Sequence, residues 1–198
     1  AYEMLESSAD LKANLLEARV GKLRMAEKLE RYQEVVEAAA KVLITDKLPT
    51  EIETEARFKK AKALLALNRP NDAFEEFTKV SQNLRTPEGA EAKYTLAKIY
   101  YEKGEWEKAE NEVFNFAERN TPHQYWMAKS FILLADVYIA QDDFFQAKAT
   151  LKSVIDGYAK TNDGIMDLAS DKLKELIDME KAKQKGTEPD AERAKWTF

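Results

Sequence analysis

The chain has 198 residues, of which 44 % are hydrophobic and 34 % charged, with only six glycines and five prolines. This composition favours an all-helical protein over a turn-rich sheet protein. The formal charge of −5 supplies no positive field for binding phosphates, which argues against nucleic acid as a partner. The absence of cysteine excludes disulfides, thiolate zinc sites and a cysteine nucleophile.

Neither end of the chain shows a targeting or membrane segment. The longest apolar run, residues 131–135, is far shorter than the roughly 20 apolar residues that a membrane-spanning helix needs. We therefore predict no transmembrane segment. The N-terminus has no initiator methionine, basic region or apolar region, so we expect a processed chain or an excised piece.

An internal repeat is the main structural signal. Similar segments begin at Ala61, Ala97 and Ala135, with starts 36 and 38 residues apart. Twelve residues after each of these alanines comes another, at Ala73, Ala109 and Ala147. A small residue at both points lets two helix backbones approach closely where they cross, so each repeat is predicted to be a hairpin of two helices.

In chain order, this recurrence predicts helix hairpins at about 11–47, 51–85, 88–121 and 123–160. Turn residues separate the paired alanines at Asn68-Arg69-Pro70, Gly104-Glu105 and Asp142-Asp143. Thr86-Pro87 and Thr121-Pro122 are typical of helix starts, with a capping threonine followed by proline.

The C-terminal part differs from the repeats. An amphipathic segment at about 163–184 has no second helix to complete a fifth hairpin, so we predict a helix that caps the last stacked face. Residues 186–198 are rich in charge and contain Pro189, which predicts an irregular tail. Trp196 and Phe198 could dock on the array or on a neighbouring chain, and the second case would give self-association through the tail.

The pattern resembles the tetratricopeptide repeat (TPR) family. Residues 88–122 fit the family signature best, and its positions 7, 8, 11, 15, 17, 20, 24 and 27 fall on Leu96, Ala97, Tyr100, Gly104, Trp106, Ala109, Val113 and Phe116. Residues 128–158 fit nearly as well, residues 54–85 more loosely with Pro70 in place of an aromatic, and residues 16–47 only in the second helix.

The resemblance implies an all-α fold, a right-handed superhelix (solenoid) of about four antiparallel hairpins plus the capping helix, forming a single array over residues 1–185. Strides longer than the usual 34 residues are often seen in bacterial envelope-associated members, which points to the periplasm or a membrane-associated location.

The chain offers little material for catalysis. His123 is the single histidine, which excludes a His–His metal pair, and no cysteine or serine setting marks a nucleophile for it to activate. The glycines are not grouped as a phosphate-binding loop. Acidic residues are spread evenly along the predicted helices, as expected of a solvated surface. We therefore predict no enzyme activity, no metal and no cofactor.

The resemblance also implies a binding surface, because the family's concave groove is lined by positions 5, 9 and 12 of each first helix. These positions are spaced i, i+4 and i+7 and form one stripe on a helix. They are occupied here by Phe58, Lys62, Leu65, Tyr94, Lys98, Tyr101, Ile132, Asp136 and Ile139.

The stripe is apolar at its edges and mostly basic along its middle, and Arg24 would extend it into the first hairpin. Such a groove suits a protein or peptide segment with apolar anchors and acidic groups. The lysine and asparagine that grip a terminal carboxylate in chaperone-binding members are not carried over, because Phe58, Tyr94 and Ile132 hold position 5.

Two functions remain open from the sequence. The first is a non-catalytic scaffold that binds a partner in the groove. The second is a structural subunit or oligomerisation module that uses the outer faces and the tail. The groove residues could instead be buried by neighbouring hairpins or by the tail, and an enzymatic role would need domains outside this sequence.

Overall fold

A computed structural model describes residues 12–159 and 162–187 of the chain, with side chains described for 14–159 and 162–183. All regular structure in these ranges is α-helical, in agreement with the all-α prediction. The chain divides into two compact units, residues 1–123 and residues 124–198, and each is considered by itself. Most of the predicted tail, residues 188–198, lies outside the described ranges.

Unit 1 consists of three helix hairpins. Its helices are α1 (Lys12–Lys28), α2 (Tyr32–Leu43), α3 (Thr50–Ala66), α4 (Pro70–Val80), α5 (Pro87–Glu102) and α6 (Trp106–Glu118). Each helix packs on the next one in the chain up to α6. In addition, α1 contacts α3 and α3 contacts α5, whereas α2, α4 and α6 do not contact one another. Successive first helices therefore touch along the shorter, inner side of unit 1.

The paired alanines lie at the helix crossings, as predicted. In unit 1, Ala61, Ala73 and Ala109 have 0 % exposure and Ala97 has 1 %. In the first hairpin the same two places, again twelve residues apart, are held by the larger Leu23 and Val35, exposed by 0 % and 2 %. Both belong to one hydrophobic cluster that also takes in α3. The first hairpin is thus built on the same plan with a different pair of side chains.

The hairpin turns repeat in detail. Glu30, Asn68 and Gly104 each adopt a left-handed φ, of 54°, 57° and 72°. The amide that follows each of them donates to the carbonyl five residues earlier, at 3.0 Å from Arg31 to Ala26, 2.9 Å from Arg69 to Leu64 and 3.0 Å from Glu105 to Tyr100. This arrangement satisfies the last carbonyls of the helix and ends it with a reversal of the chain.

The two predicted helix starts behave differently. Thr86 caps α5, because its hydroxyl oxygen accepts a hydrogen bond of 3.1 Å from the Gly89 amide. Thr121 is buried and donates its hydroxyl to the Leu84 carbonyl at 2.8 Å. It therefore fixes the loop that ends unit 1 instead of capping a helix.

Unit 2 contains α7 (Gln124–Ala140), α8 (Phe144–Gly157) and α9 (Ile165–Thr187). Ala135 and Ala147 are both 0 % exposed between α7 and α8, and their turn has Asp142 at φ 62°. Helix α9 packs on α8 and also touches α7, the position that a further first helix would take. Residues 186 and 187 belong to this helix.

Candidate functional site

The inner side of unit 1 carries six of the nine groove residues predicted from the sequence. We call this set the inner stripe: Phe58, Lys62 and Leu65 on α3, and Tyr94, Lys98 and Tyr101 on α5. Helices α3 and α5 are in contact, so the two halves of the stripe are neighbours.

On α3 the stripe is partly core and partly surface. Phe58 is half-buried and packs edge-on against Phe77 with ring centroids 6.1 Å apart. Leu65 is also half-buried and lies against the same hydrophobic cluster. The Lys62 side chain is 54 % exposed, and its ammonium lies 5.3 Å from the centre of the Phe58 ring. A partner could therefore touch the outer edges of both apolar side chains.

On α5 the stripe presents two half-buried tyrosines on either side of a lysine. Tyr94 and Tyr101 are half-buried. The Lys98 side chain is 50 % exposed and forms an ion pair of 3.4 Å with Glu102, one turn further along the same helix. Aromatic side chains with one apolar and one polar end are common anchors at protein interfaces.

The basic residues of the inner side already have acidic neighbours. Lys62 pairs with Glu91 of α5 at 3.2 Å. Arg24 of α1 donates two hydrogen bonds, of 2.8 and 2.6 Å, to the carboxylate of Glu55 on α3. These hydrogen bonds lower the pKa of Glu55, against the opposing effect of its burial. The inner side is therefore less basic than the stripe alone suggests.

The three groove residues predicted in unit 2 are not presented in the same way. Ile132 is only 3 % exposed, and Ile139 is half-buried. Asp136 pairs with Lys172 of α9 at 2.5 Å. Burial raises the pKa of Asp136, although the hydrogen bond and charge of Lys172 oppose the shift. Because α9 lies against this part of α7, we restrict the candidate surface to the inner stripe of unit 1.

A recess that the sequence did not indicate lies on α1 and the start of α3. It has a volume of about 540 Å³ and is lined by Leu16, Glu17, Val20, Gly21, Arg24, Met25, Lys28 and Ile52. The repeat pattern gave no register for α1, because Leu23 occupies the place where the family pattern has a small residue. Without a register, only Arg24 could be placed on the inner side.

The groups considered for catalysis have structural partners. A ring nitrogen of His123 lies 2.9 Å from the Arg85 carbonyl. Desolvation, followed by the hydrogen bond to Asp163, raises the pKa of Tyr158 to about 12, so this phenol stays protonated at neutral pH. The part of the chain that the structure describes contains no group of three or more histidine, aspartate or glutamate residues placed to hold a metal. Nor does any described helix combine the length and hydropathy of a membrane span.

Comparisons with known proteins agree with this architecture. Residues 124–161 match the family model of the tetratricopeptide repeat. No curated protein sequence matches the chain. A Podosopora anserina structure described as a kinesin light chain with nearly identical TPR-like repeats is 19 % identical, with TM-score 0.62, covering 87 % of this chain and 90 % of that one.

Two further structures are similar over most of their length. MamA is 21 % identical with TM-score 0.57, covering 88 % of this chain and 96 % of its own. BtubC from P. vanneervenii is 19 % identical with TM-score 0.54, covering 98 % and 87 %. At this identity the likeness shows the fold, an all-α array of tetratricopeptide-type hairpins, and so confirms the solenoid class predicted from the sequence. Arrays of this type generally serve protein–protein interaction through extended surfaces.

Proposed function

We propose that this chain, an array of tetratricopeptide-type hairpins, is a non-catalytic scaffold that binds a protein or peptide segment along the inner stripe of unit 1. One observation carries the proposal: two half-buried tyrosines and two half-exposed lysines share the inner side of α3 and α5. Apolar and aromatic surface bordered by mobile charges is the usual composition of a protein-binding site.

The partner is expected to bring apolar anchors and acidic groups. The lysine side chains in the ion pairs of Lys62 and Lys98 are each at least half exposed, and exposed pairs contribute only about 0–1 kcal/mol. An acidic residue of a bound segment can therefore replace Glu91 or Glu102 at little cost. The edges of Tyr94 and Tyr101 would lose water to the partner's apolar side chains, which is the main favourable term.

A selection experiment tests this proposal and does not require an identified partner. Random peptides displayed on phage are selected on the intact chain, and the affinities of the enriched peptides are measured in solution. We expect enrichment of sequences that combine acidic and apolar residues. The combined variant Tyr94→Ala, Lys98→Glu, Tyr101→Ala should weaken their binding at least tenfold, since two contact anchors and one charge are lost.

A matched control on α6 separates groove binding from adhesion to any apolar surface. Trp106, Lys108 and Phe114 are exposed, and the variant Trp106→Ala, Lys108→Glu, Phe114→Ala makes the same kind of chemical change away from the inner side. Both variants should keep the helical content of the parent. If the control weakens binding as much as the groove variant, the inner stripe is not the binding site.

The second candidate is a structural subunit that joins copies or partners through outer faces. It draws on exposed aromatic side chains of second helices, of which Phe145 on α8 is 78 % exposed. The contribution of the tail stays a prediction, as does a bacterial envelope location. Removing residues 186–198 and measuring the mass in solution tests it, and an oligomer that persists unchanged would argue against the tail as the joint.

A further inference from the structure

The recess on α1 lies on a surface that equivalent helices bury. Met25 of α1 takes the place that Ala63 holds in α3 and Ile99 holds in α5, at the repeat strides of 38 and 36 residues. Ala63 and Ile99 are each 2 % exposed, and they pack in clusters that include the preceding helix α2 or α4. Met25 is 45 % exposed. In α3 and α5 this face is therefore occupied by an α-helix, and in α1 it is open.

The open face continues beyond Met25. Leu29, one turn further along, is 52 % exposed. Terminal hairpins of repeat arrays generally carry a polar outer face that keeps them soluble. An apolar recess of about 540 Å³ has the size of a specific binding site. Gly21 lies among the lining residues, and a residue without a side chain lets a second helix backbone come close.

Two charges mark the ends of the recess. Glu17 and Lys28 both line it and are exposed, and neither has an ion-pair partner among residues 12–159 and 162–187. The third charge, Arg24, is neutralised by Glu55. Along a helix that rises 1.5 Å per residue, the eleven positions from Glu17 to Lys28 span about 16 Å. The recess thus has an acidic end and a basic end with an apolar middle.

We propose that this recess binds an amphipathic α-helix of a partner protein, with an apolar stripe, a basic residue opposite Glu17 and an acidic residue opposite Lys28. The quasi-equivalence of Met25 with Ala63 and Ile99 specifies a helix, and the two unmatched charges specify its polarity. This surface is separate from the inner stripe, because it lies on α1 and the first turn of α3. Binding here is therefore independent of the proposed groove function.

The test uses three labelled helical peptides of eighteen residues and the intact chain. All share one leucine stripe on an alanine background, and they differ at two positions eleven residues apart. The first has lysine and glutamate there, the second two lysines and the third two glutamates. By fluorescence anisotropy at low salt, the mixed peptide should bind about tenfold more tightly than either of the others.

Protein variants decide whether the recess is responsible. Glu17→Lys makes both ends basic and should shift the preference to the peptide with two glutamates. Met25→Lys should weaken binding of the mixed peptide by tenfold or more. Met179→Lys is the matched control, because Met179 is also exposed, by 50 %, but lies on α9. Circular dichroism checks that all variants remain helical.

Several results would overturn the proposal. It fails if none of the peptides binds, if all three bind equally, or if Met179→Lys reduces binding as much as Met25→Lys. Sedimentation of the free chain adds one more outcome. A dimer that Met25→Lys disperses, together with no peptide binding, would assign the recess to a second copy of this chain and not to a partner helix.

Discussion

Arg57 and Glu76 join the two helices of the second hairpin through an ion pair of 3.0 Å. The same carboxylate accepts a hydrogen bond from Lys60 at 2.7 Å, and Glu76 as a whole is only 7 % exposed. One repeat later, Lys93 and Glu112 make the corresponding pair at 2.8 Å. A nearly buried carboxylate costs free energy unless it is paired, so these cations fix how the two helices of a hairpin meet.

Replacing Glu76 by glutamine should destabilise unit 1 by roughly 2–4 kcal/mol, because Arg57 and Lys60 lose their common counter-charge. Urea unfolding followed by circular dichroism measures the effect. Glu75→Gln is the control, since Glu75 is the exposed neighbour on the same helix and should change stability by no more than about 0.5 kcal/mol. Equal losses in both variants would show that the ion pair is not the source of stability.

The same carboxylate predicts how stability depends on pH. Burial by itself raises the pKa of Glu76, but the hydrogen bonds from Lys60 and Arg57 outweigh it and hold the pKa below its ordinary value of 4.5. A lowered pKa in the folded state means that the stabilisation is complete above pH 4.5 and is lost as the pH falls further. The stability difference between the parent and Glu76→Gln should therefore shrink below that pH, and a constant difference down to acid pH would contradict the assignment.

Gly89 is predicted to tolerate no side chain. A Cβ atom at this position would lie 1.9 Å from the Asn83 carbonyl oxygen, which is backbone and cannot rotate away. Gly89→Ala must therefore displace the start of α5, and with it the cap that Thr86 provides, at a cost of roughly 1–3 kcal/mol or more. Thermal unfolding of Gly157→Ala is the comparison, because a Cβ there meets nothing within 4 Å. That variant should be neutral or slightly stabilised, and a similar loss in both would refute the steric explanation.

Much of the fold could be predicted because small side chains mark it. Ala61, Ala97 and Ala135, with their partners twelve residues on, are needed wherever two helices cross closely, so packing imposes them on the sequence in register. The first hairpin escapes this pattern. Leu23 and Val35 fill its crossing with larger side chains, and a residue-by-residue comparison cannot show that the geometry is the same.

The site was harder to predict than the fold. Helical spacing correctly indicates which residues share one face of a helix, but not which other element covers that face. Ile132 and Asp136 have the spacing of groove residues, yet Ile132 is buried and Asp136 pairs with Lys172 from 36 residues later in the chain. Such a long-range contact leaves no periodic signal near either residue.

The left-handed turn residues allow a prediction of opposite signs. Glu30 has φ 54° and Gly104 has φ 72° at equivalent turns, and residues other than glycine are disfavoured in this region. Glu30→Gly should stabilise the first hairpin by about 0.5–1 kcal/mol, whereas Gly104→Ala should destabilise the third by about 1 kcal/mol. No heavy atom lies within 4 Å of a Cβ added at Gly104, so the second effect is purely conformational. Chemical unfolding of both variants measures it, and changes of the same sign would contradict the turn argument.

The contact between Lys172 and Asp136 is predicted to hold α9 on α7. Lys172→Met would leave the half-buried carboxylate of Asp136 near Glu175 without its cation, and we expect a loss of roughly 1–3 kcal/mol near neutral pH. Because the pKa of Asp136 is already raised, the unpaired group is neutralised by a modest fall in pH, so the loss should be smaller near pH 4. Hydrogen exchange of the α9 amides reports the effect locally. Lys181→Met removes only an exposed pair of 3.8 Å with Asp178 within α9, and exchange that is equally fast in both variants would show that Lys172 does not anchor the helix.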